Sequence, residues 1–188
     1  MSSLRVLVDS AGEGAWNMAV DEALLHSAAL HGQATLRFYG WQQATLSLGY
    51  FQAAEDRNLH AASRACPLVR RSSGGGAILH DRELTYSLAM PNQPTAAAAR
   101  RLYELIHGSL IDVLAELGAR AVLFQNLRTR AANETPAVEP FLCFQRRTCF
   151  DVIAGESKIA GSAQRRRGRA VLQHGSILLA ASPCAPEL

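Results

Sequence analysis

Residues 69–91 read VRRSSGGGAILHDRELTYSLAMP, and this stretch decides the fold. Two arginines at 70–71 precede three consecutive glycines at 74–76, where the absent Cβ atoms let backbone N–H groups approach an anion or a carbonyl. Residues 77–90 carry β-favouring side chains around a polar step, which predicts two strands with the loop at one end. We interpret the glycines as a binding loop, with a tight turn or bulge in a sheet as the alternative.

The composition indicates one domain spanning residues 1–188. The chain is 48% hydrophobic and 19% charged, and its length suffices for one well-buried core but not for two. No positively charged leader precedes an apolar run, and no stretch approaches about 18 uninterrupted apolar residues. We therefore expect a cytoplasmic protein with no membrane partner.

The cysteines and the charge pattern narrow the choice of partners. Four cysteines are scattered without the paired spacing of a zinc site, so we expect reduced thiols and no metal. The formal net charge is only +3, but residues 165–169 contain four arginines. This cluster would attract an acidic protein surface or a phosphate backbone. We expect an acidic protein rather than nucleic acid.

The segments before the glycines alternate between strand and helix patterns. Residues 4–8 form a short apolar run, and residues 15–31 place apolar side chains at helical spacing. Residues 35–39 and 45–50 are rich in β-branched and aromatic types, and their short link predicts a hairpin. Residues 55–64 are interpreted as a shorter helix.

The segments after the glycines complete an α+β pattern. Thr95 can cap a long helix whose apolar stripe runs over residues 102–117, and a strand is expected at 120–124. Residues 125–140 are polar and aperiodic, which is typical of a functional or poorly ordered loop. Residues 148–179 are strand-like with glycine breaks. We predict a mixed or antiparallel sheet with packed helices, and no nucleotide-binding glycine motif occurs.

Candidate chemical groups lie mainly near the end of the chain. Lys158 precedes Gly161, so its ammonium could lie beside a closely approaching backbone and bind a carbonyl oxygen or a phosphate; a solvent-facing lysine is the alternative. Cys143 could be a nucleophile if a neighbouring cation favours the thiolate, or it could be a small buried hydrophobe. His80 and His174 could orient substrate or move protons, although lone histidines are often structural.

Four ordered motifs resemble the lipoate-protein ligase and octanoyltransferase branch of the biotin/lipoyl ligase superfamily. They are NMAVDE at 17–22, RRSSGGGAILHD at 70–81, KIAGSAQ at 158–164 and QHGSILL at 173–179. The resemblance covers about residues 9–180. It implies a single catalytic domain of that α+β fold, with a tunnel for a medium-chain acyl group beside the glycine loop.

Two features resemble one branch of that family in particular. ATP-using lipoate ligases typically follow His-Asp with Gly-Asn, whereas this chain has Arg82 and Glu83, similar to the cysteine-dependent octanoyltransferases and amidotransferases. Those enzymes carry a Cys-Phe pair fifteen residues before the lysine, and Cys143 stands at that distance from Lys158. The resemblance therefore implies that Cys143 is the catalytic nucleophile and that Lys158 contacts the acyl carbonyl. Cys149 is a rival thiol.

The resemblance also implies a reaction and its partners. An octanoyl group would move from acyl carrier protein to Cys143, and then to a lysine of a lipoyl-accepting protein such as the glycine-cleavage H protein or a lipoyl domain, without a cofactor. The alternatives are an ATP-dependent lipoate-protein ligase and a non-catalytic acyl- or carrier-binding module. Family members usually continue with further helical sequence, so part of the acceptor surface or of the cover of the acyl pocket is expected to be missing. The expected substrate-binding residues are Arg70, Arg71, Ser73, Gly74, Gly75, Gly76, His80, Gly161, Ser162, Gln164, His174 and Gly175.

Overall fold

The computed structural model describes residues 3–93, 95–125 and 139–188. The helices and strands of these residues are β1 Leu4–Val8, α1 Gly14–His31, β2 Ala34–Tyr39, β3 Thr45–Leu48, β4 Leu68–Arg70, β5 Ile78–His80, β6 Glu83–Met90, α2 Ala96–Glu116, β7 Val122–Leu123, β8 Val152–Ala154, β9 Ser157–Arg167 and β10 Ala170–Leu178. Short 3₁₀ helices cover Ala54–Leu59 and Cys143–Gln145.

The strands form two sheets. The larger sheet has the order β1-β2-β6-β10-β9-β8-β7, with β1 parallel to β2 and the other neighbours antiparallel. The smaller sheet has the order β4-β3-β5, with one parallel and one antiparallel pair. The predicted α+β class with a mixed sheet is confirmed.

The two α-helices cover opposite faces of the larger sheet. Successive side chains of a strand point to opposite faces. Ala89 and Leu172 therefore pack in the cluster that contains the buried side of α1. Their neighbours Leu88 and Val171 pack against α2. The centre of the sheet is thus buried on both sides, which fixes the strands that carry the site.

The smaller sheet has its own apolar cluster, and this cluster positions the candidate nucleophile. Leu142 is fully buried in it and bridges Ala77, the residue directly after the three glycines. The N–H of Cys143 donates to the carbonyl of Ala77 at 2.7 Å. The cysteine and the glycine loop are therefore held together by backbone pairing.

The predicted hairpin of residues 35–39 and 45–50 is wrong, because β2 lies in the larger sheet and β3 in the smaller one. Trp41 in the link is buried between them: its ring stacks on His80 at 3.9 Å and its Nε1 donates to Thr85 at 2.8 Å. Burying this indole favours a link that crosses between sheets. The helix predicted at 55–64 is only the short 3₁₀ helix Ala54–Leu59.

Helix α2 is present where a long helix was predicted, but its burial differs from the expectation. Thr95 caps α2 by accepting the Ala98 N–H at 3.1 Å. The predicted apolar stripe of α2 is only partly buried, since Leu105 and Leu117 are exposed.

The strands predicted at 120–124 and after residue 148 also differ in extent from the expectation. The strand run after residue 148 is β8, β9 and β10, with left-handed turns at Gly155 and Gly168. Gly161 and Gly175 lie inside strands and do not break them. The strand predicted at 120–124 is the two-residue β7.

Most of the loop predicted at 125–140 lies outside the described residues. Neither described helix combines the length and apolarity that a membrane crossing requires.

Candidate active site

Arg71 organises the glycine loop from inside the protein. Its buried guanidinium donates to the carbonyl oxygens of Ser47 at 2.9 Å, Gly76 at 2.8 Å and Gly74 at 3.2 Å. Burial lowers the pKa of Arg71 to about 10, so the side chain stays charged at neutral pH. Its fork of N–H donors therefore fixes the loop carbonyls in one direction.

The loop also lies directly on the backbone of Gly49. A Cβ atom on Gly49 would stand 2.0 Å from the carbonyl oxygen of Gly75, which no side chain permits. Gly75 itself has a left-handed φ of 95°. Arg70 does not line the cavity: it donates to the carbonyls of residues 49, 50 and 52, and so holds the segment on which the loop rests.

Ser73 is connected to the first helix through His174. Its Oγ lies 2.5 Å from Nε2 of His174, whose Nδ1 donates to Asp21 at 3.0 Å. Asp21 also accepts from Arg37 at 3.2 Å and from the Tyr39 hydroxyl at 3.0 Å. Burial, together with the Asp21 charge, raises the pKa of Tyr39 well above its usual value. This buried network explains why Asp21 belongs to the first-helix motif.

His80 belongs to a second buried chain of hydrogen bonds. Arg71 donates to Ser47 Oγ at 2.7 Å, which lies 2.7 Å from His80 Nε2, and His80 Nδ1 donates to Glu83 at 2.7 Å. Burial lowers the pKa of His80, which keeps the ring neutral at pH 7. A neutral ring with its proton on Nδ1 accepts from the Ser47 hydroxyl. His80 thus supports the loop through Arg71.

Glu83 ends this chain as a buried carboxylate. Burial acts to raise its pKa, but His80 and the hydroxyls of Thr85 at 2.5 Å and Ser176 at 2.7 Å hold the pKa below its usual value. The carboxylate is therefore compensated by hydrogen bonds within the core.

Cys143 and Lys158 come together at the floor of a cavity. Nζ of Lys158 lies 3.8 Å from Sγ of Cys143 and 3.3 Å from the carbonyl oxygen of the same residue. It also lies 5.3 Å from the centre of the Phe144 ring. Cys143 is partly exposed, whereas the Lys158 side chain is only 2% exposed. The thiol of Cys143 is therefore reachable from the cavity and stands beside a buried lysine.

Asp151 is the charged partner of Lys158. Its Oδ2 lies 2.9 Å from Nζ and accepts from the Thr148 N–H at 2.7 Å. Gly161 provides the space, since a Cβ there would stand 2.6 Å from Cε of Lys158. The expected close approach of backbone and lysine is present.

The cavity brings most of the sequence-predicted residues together. Its volume is about 450 Å³, within the usual range for small-ligand sites. The expected residues that line it are Cys143, Lys158, Arg71, Gly74, Gly75, Gly76, His80, Gly161, Ser162, His174 and Gly175. Arg70, Ser73 and Gln164 do not line it.

Ser162 and Gln164 join a network toward α2. Gln164 donates to Gln173 at 2.8 Å, Gln173 donates to the Tyr86 hydroxyl at 2.9 Å, and that hydroxyl lies 2.6 Å from Ser162 Oγ. Ser162 in turn lies 2.6 Å from Nε2 of His107. Gln164 therefore positions strands and reaches the cavity only through its neighbours.

The other cysteines have different surroundings from Cys143. Cys149 is exposed and lies beside a separate groove along α2. Burial raises the pKa of Cys66 to about 11, which disfavours its thiolate. Within the described ranges, no group of three or more His, Cys, Asp or Glu side chains is arranged to hold a metal ion.

Sequence reasoning missed the residues that support the site. Asp151, Ser47 and His107 are buried polar groups that contact the predicted residues, but none stood out by its neighbours in sequence. Glu83 stood out only as a branch feature, without a role in the site. Asp21 was recognised only as a member of the NMAVDE motif at 17–22, without a role of its own. The available signal was an acidic residue placed next to an apolar run, as Asp151 stands before Val152 and Ile153.

A partly exposed thiol and a buried lysine beside a glycine-rich loop define an α+β catalytic domain of the acyl-transfer type. Residues 13–183 match the lipoyl protein ligase A/B catalytic domain. The chain belongs to this family.

Individual relatives agree with the family assignment. An octanoyltransferase LipM of Brevibacillus brevis is 38% identical over 95% of this chain and 67% of its own length. That of Kyrpidia tusciae is 39% identical over 97% and 68%. Protein Ta0514 of T. acidophilum, solved with bound lipoic acid, superposes with a TM-score of 0.73 at 25% identity over 95% of this chain and 69% of its own. The chain spans about two thirds of the length of these relatives.

Proposed function

We propose that this protein is an octanoyltransferase that moves an octanoyl group from acyl carrier protein to a lysine of a lipoyl-accepting protein, through a thioester on Cys143. The observation that carries the proposal is the 3.8 Å approach of Lys158 Nζ to Cys143 Sγ at the floor of the cavity. The octanoyltransferase relatives support the acyl chain, and the lipoyl protein ligase family supports a lipoyl-accepting protein as the acceptor.

In the first transfer, the Cys143 thiolate attacks the carbonyl carbon of the octanoyl thioester. A new C–S bond forms, the bond to the carrier sulfur breaks, and the carrier thiolate takes up a proton. Lys158 lies where its ammonium can stabilise the thiolate before attack and the oxyanion during it. A buried cation is well suited to this role, because its interaction with a developing charge is weakly screened.

In the second transfer, a neutral lysine amine of the acceptor protein attacks the acyl-enzyme. The N–C bond of an amide forms, the Cys143 S–C bond breaks, the amine nitrogen gives up one proton to solvent, and the thiolate returns beside Lys158. An exchange between thioesters is nearly neutral in free energy and the amide is more stable, so the sequence of steps needs no ATP. Apolar side chains of Met18, Ile78 and Phe144 line the cavity and suit an alkyl chain.

The arginine cluster of residues 165–169 is the proposed docking surface for acidic partner proteins. It lies at the turn between β9 and β10, where Gly168 has a left-handed φ of 57°. Arg165 packs over the Tyr50 ring and Arg166 donates to the carbonyl of Gln93 at 3.0 Å. Arg167 and Arg169 are exposed. Such a patch speeds association with an acidic protein at low salt.

The test is intact-mass analysis after incubation with octanoyl-acyl carrier protein in the absence of ATP. The unmodified protein should gain one octanoyl group, and neutral hydroxylamine should remove it, as expected for a thioester. The gain should vanish in Cys143→Ala and persist in Cys149→Ala, which is the matched control. A gain that survives Cys143→Ala would reassign the nucleophile. A strict requirement for ATP would favour the lipoate ligase alternative, and binding of the carrier without any transfer would favour a non-catalytic module.

A further inference from the structure

The ammonium of Lys158 has an acceptor for each of its hydrogens. These are Asp151 Oδ2 at 2.9 Å, the carbonyl oxygen of Cys143 at 3.3 Å and Cys143 Sγ at 3.8 Å. A protonated lysine carries three N–H donors and no lone pair. The site is therefore built for the cation, and the uncharged amine would leave one acceptor without a hydrogen.

The same geometry allows a side reaction once Cys143 is acylated, namely attack of the Lys158 amine on the thioester. The carbonyl carbon of the acyl-enzyme would be bonded to Sγ, an atom that lies 3.8 Å from Nζ. Bond formation starts from separations of about 3–3.5 Å, so a small shift of either group would suffice. A neutral amine attacks a thioester, as the acceptor lysine does in the second transfer. The Lys158 side chain is 2% exposed, and a buried charge needs a partner of opposite charge. Without a compensating charge, Lys158 would compete with the acceptor.

Asp151 supplies that charge from a fixed position. Its side chain is 5% exposed, and it is the carboxylate that pairs with Lys158 in the described part of the chain. The N–H and hydroxyl of Thr148 donate to it at 2.7 and 3.2 Å. The preceding carbonyl, that of Phe150, accepts from His107 Nδ1 at 2.5 Å. Asp151 is thus held on both sides and cannot easily leave the lysine.

We propose that Asp151 is a positioning residue that holds the Lys158 ammonium in a buried ion pair, and thereby prevents the active-site lysine from taking the octanoyl group from Cys143. If this control fails, the Lys158 N–C bond forms, the Cys143 S–C bond breaks, and the thiolate takes the proton that the amine loses. The product is an amide that no later step removes, so the enzyme is lost. The inference rests on the proposed function, because it requires an acyl group on Cys143.

The test compares Asp151→Asn with the unmodified protein after incubation with octanoyl-acyl carrier protein, using intact mass before and after neutral hydroxylamine. The protein without substitutions should carry only an octanoyl group that hydroxylamine removes. In Asp151→Asn the resistant fraction should rise at least about tenfold, since losing one partner of a buried ion pair costs more than the free energy of a tenfold change. Peptide mapping should place the resistant group on Lys158.

Three further variants separate this effect from a structural one. Asp151→Glu keeps the carboxylate and should carry only the labile group. Asp151→Asn combined with Lys158→Arg should form no resistant product, because a guanidinium does not lose its proton. Glu156→Gln changes an exposed carboxylate two residues before Lys158 and should behave like the unmodified protein. If Asp151→Asn does not fold, Asp151→Ser carries the same expectation.

The outcomes distinguish the inference from the function on which it rests. A folded Asp151→Asn or Asp151→Ser protein that carries only the labile group overturns the role of Asp151 and leaves octanoyl transfer in place. A resistant group on any lysine other than Lys158 also overturns it. An unmodified protein that gains no labile group contradicts the proposed function itself.

Discussion

Nδ1 of His174 lies 3.0 Å from Oδ2 of Asp21, and this contact connects strand β10 to the first helix across 153 residues of sequence. The other ring nitrogen of His174 lies 2.5 Å from the hydroxyl of Ser73. The carboxylate therefore sets the orientation of a ring that anchors the start of the glycine loop. The helix thus contributes a buried charge to the site, in addition to the Met18 side chain that lines the cavity.

Asp21→Asn should destabilise the protein and loosen this anchor. Arg37 would lose its buried carboxylate partner and keep only the exposed Asp9, and breaking a buried ion pair costs about 3–5 kcal/mol. Urea unfolding should show the decrease in the free energy of unfolding. Glu22→Gln is the matched control, since it removes the same charge from the next, exposed position. Equal effects of the two variants would refute the anchoring role.

Gly49→Ala should displace the glycine loop. The added Cβ would stand 2.0 Å from a backbone oxygen of Gly75, which cannot move as a side-chain end could. Overpacking of this kind costs about 1–3 kcal/mol, and the rate of thioester formation on Cys143 should fall with the shift of the loop.

Gly40→Ala is the control for this variant. Its Cβ would meet only ordinary contacts with Ala11 at 3.7 Å or more. Rates of thioester formation that are unchanged in both variants would show that the loop tolerates displacement.

The sequence was sufficient to predict the fold class and the paired chemical groups. Periodicity located the helices α1 and α2, and the three glycines with Arg71 indicated a loop that the structure places at the cavity. The spacing between Cys143 and Lys158, which matches that of a known family, selected Cys143 among the four cysteines. These features are local in sequence, so a pattern over a few residues contains them.

The sequence did not predict which strands share a sheet or which buried polar groups meet. The link that contains Trp41 is as short as a hairpin turn, and only the burial of its indole beside His80 separates β2 from β3. Likewise, Asp151 pairs with Lys158 because of a turn between two strands. Such partners depend on tertiary packing, which single-sequence patterns do not encode.

Gly108→Ala should stabilise the protein. Gly108 lies inside α2, and a Cβ there would have no heavy atom within 4 Å beyond the backbone of its own helix. Alanine in a helix interior is favoured over glycine by about 0.8–1 kcal/mol. Thermal unfolding should show a higher midpoint with thioester formation unchanged. A lower midpoint would mean that the added methyl group clashes with neighbouring atoms.

Charge reversal in the arginine cluster should weaken carrier docking. Arg167→Glu with Arg169→Glu should raise the KM for octanoyl-acyl carrier protein most strongly at low ionic strength, because surface electrostatics are screened over about 10 Å at 0.1 M salt. The transfer rate at saturation should change little. Arg101→Glu with Arg120→Glu changes the net charge equally at exposed positions outside the cluster. An equal rise in KM for both pairs would argue against a local docking surface.

Acid should destabilise the fold between pH 7.5 and 5 through two buried histidines. Burial is the main cause that lowers the pKa of both His80 and His107 below the usual 6.5. As the pH falls through 6.5, the unfolded chain therefore binds protons that the folded chain does not bind. Stability is then lost, by at most about 1.4 kcal/mol per pH unit for each histidine.

Urea unfolding at a series of pH values should show this slope. His107→Gln should reduce the slope by one histidine's share, because it removes one of the two buried rings that take up a proton on unfolding. His26→Gln, at an exposed position of α1, should leave the slope unchanged. A free energy of unfolding that stays constant over this range would mean that the two rings take up protons in the folded state as readily as in the unfolded chain.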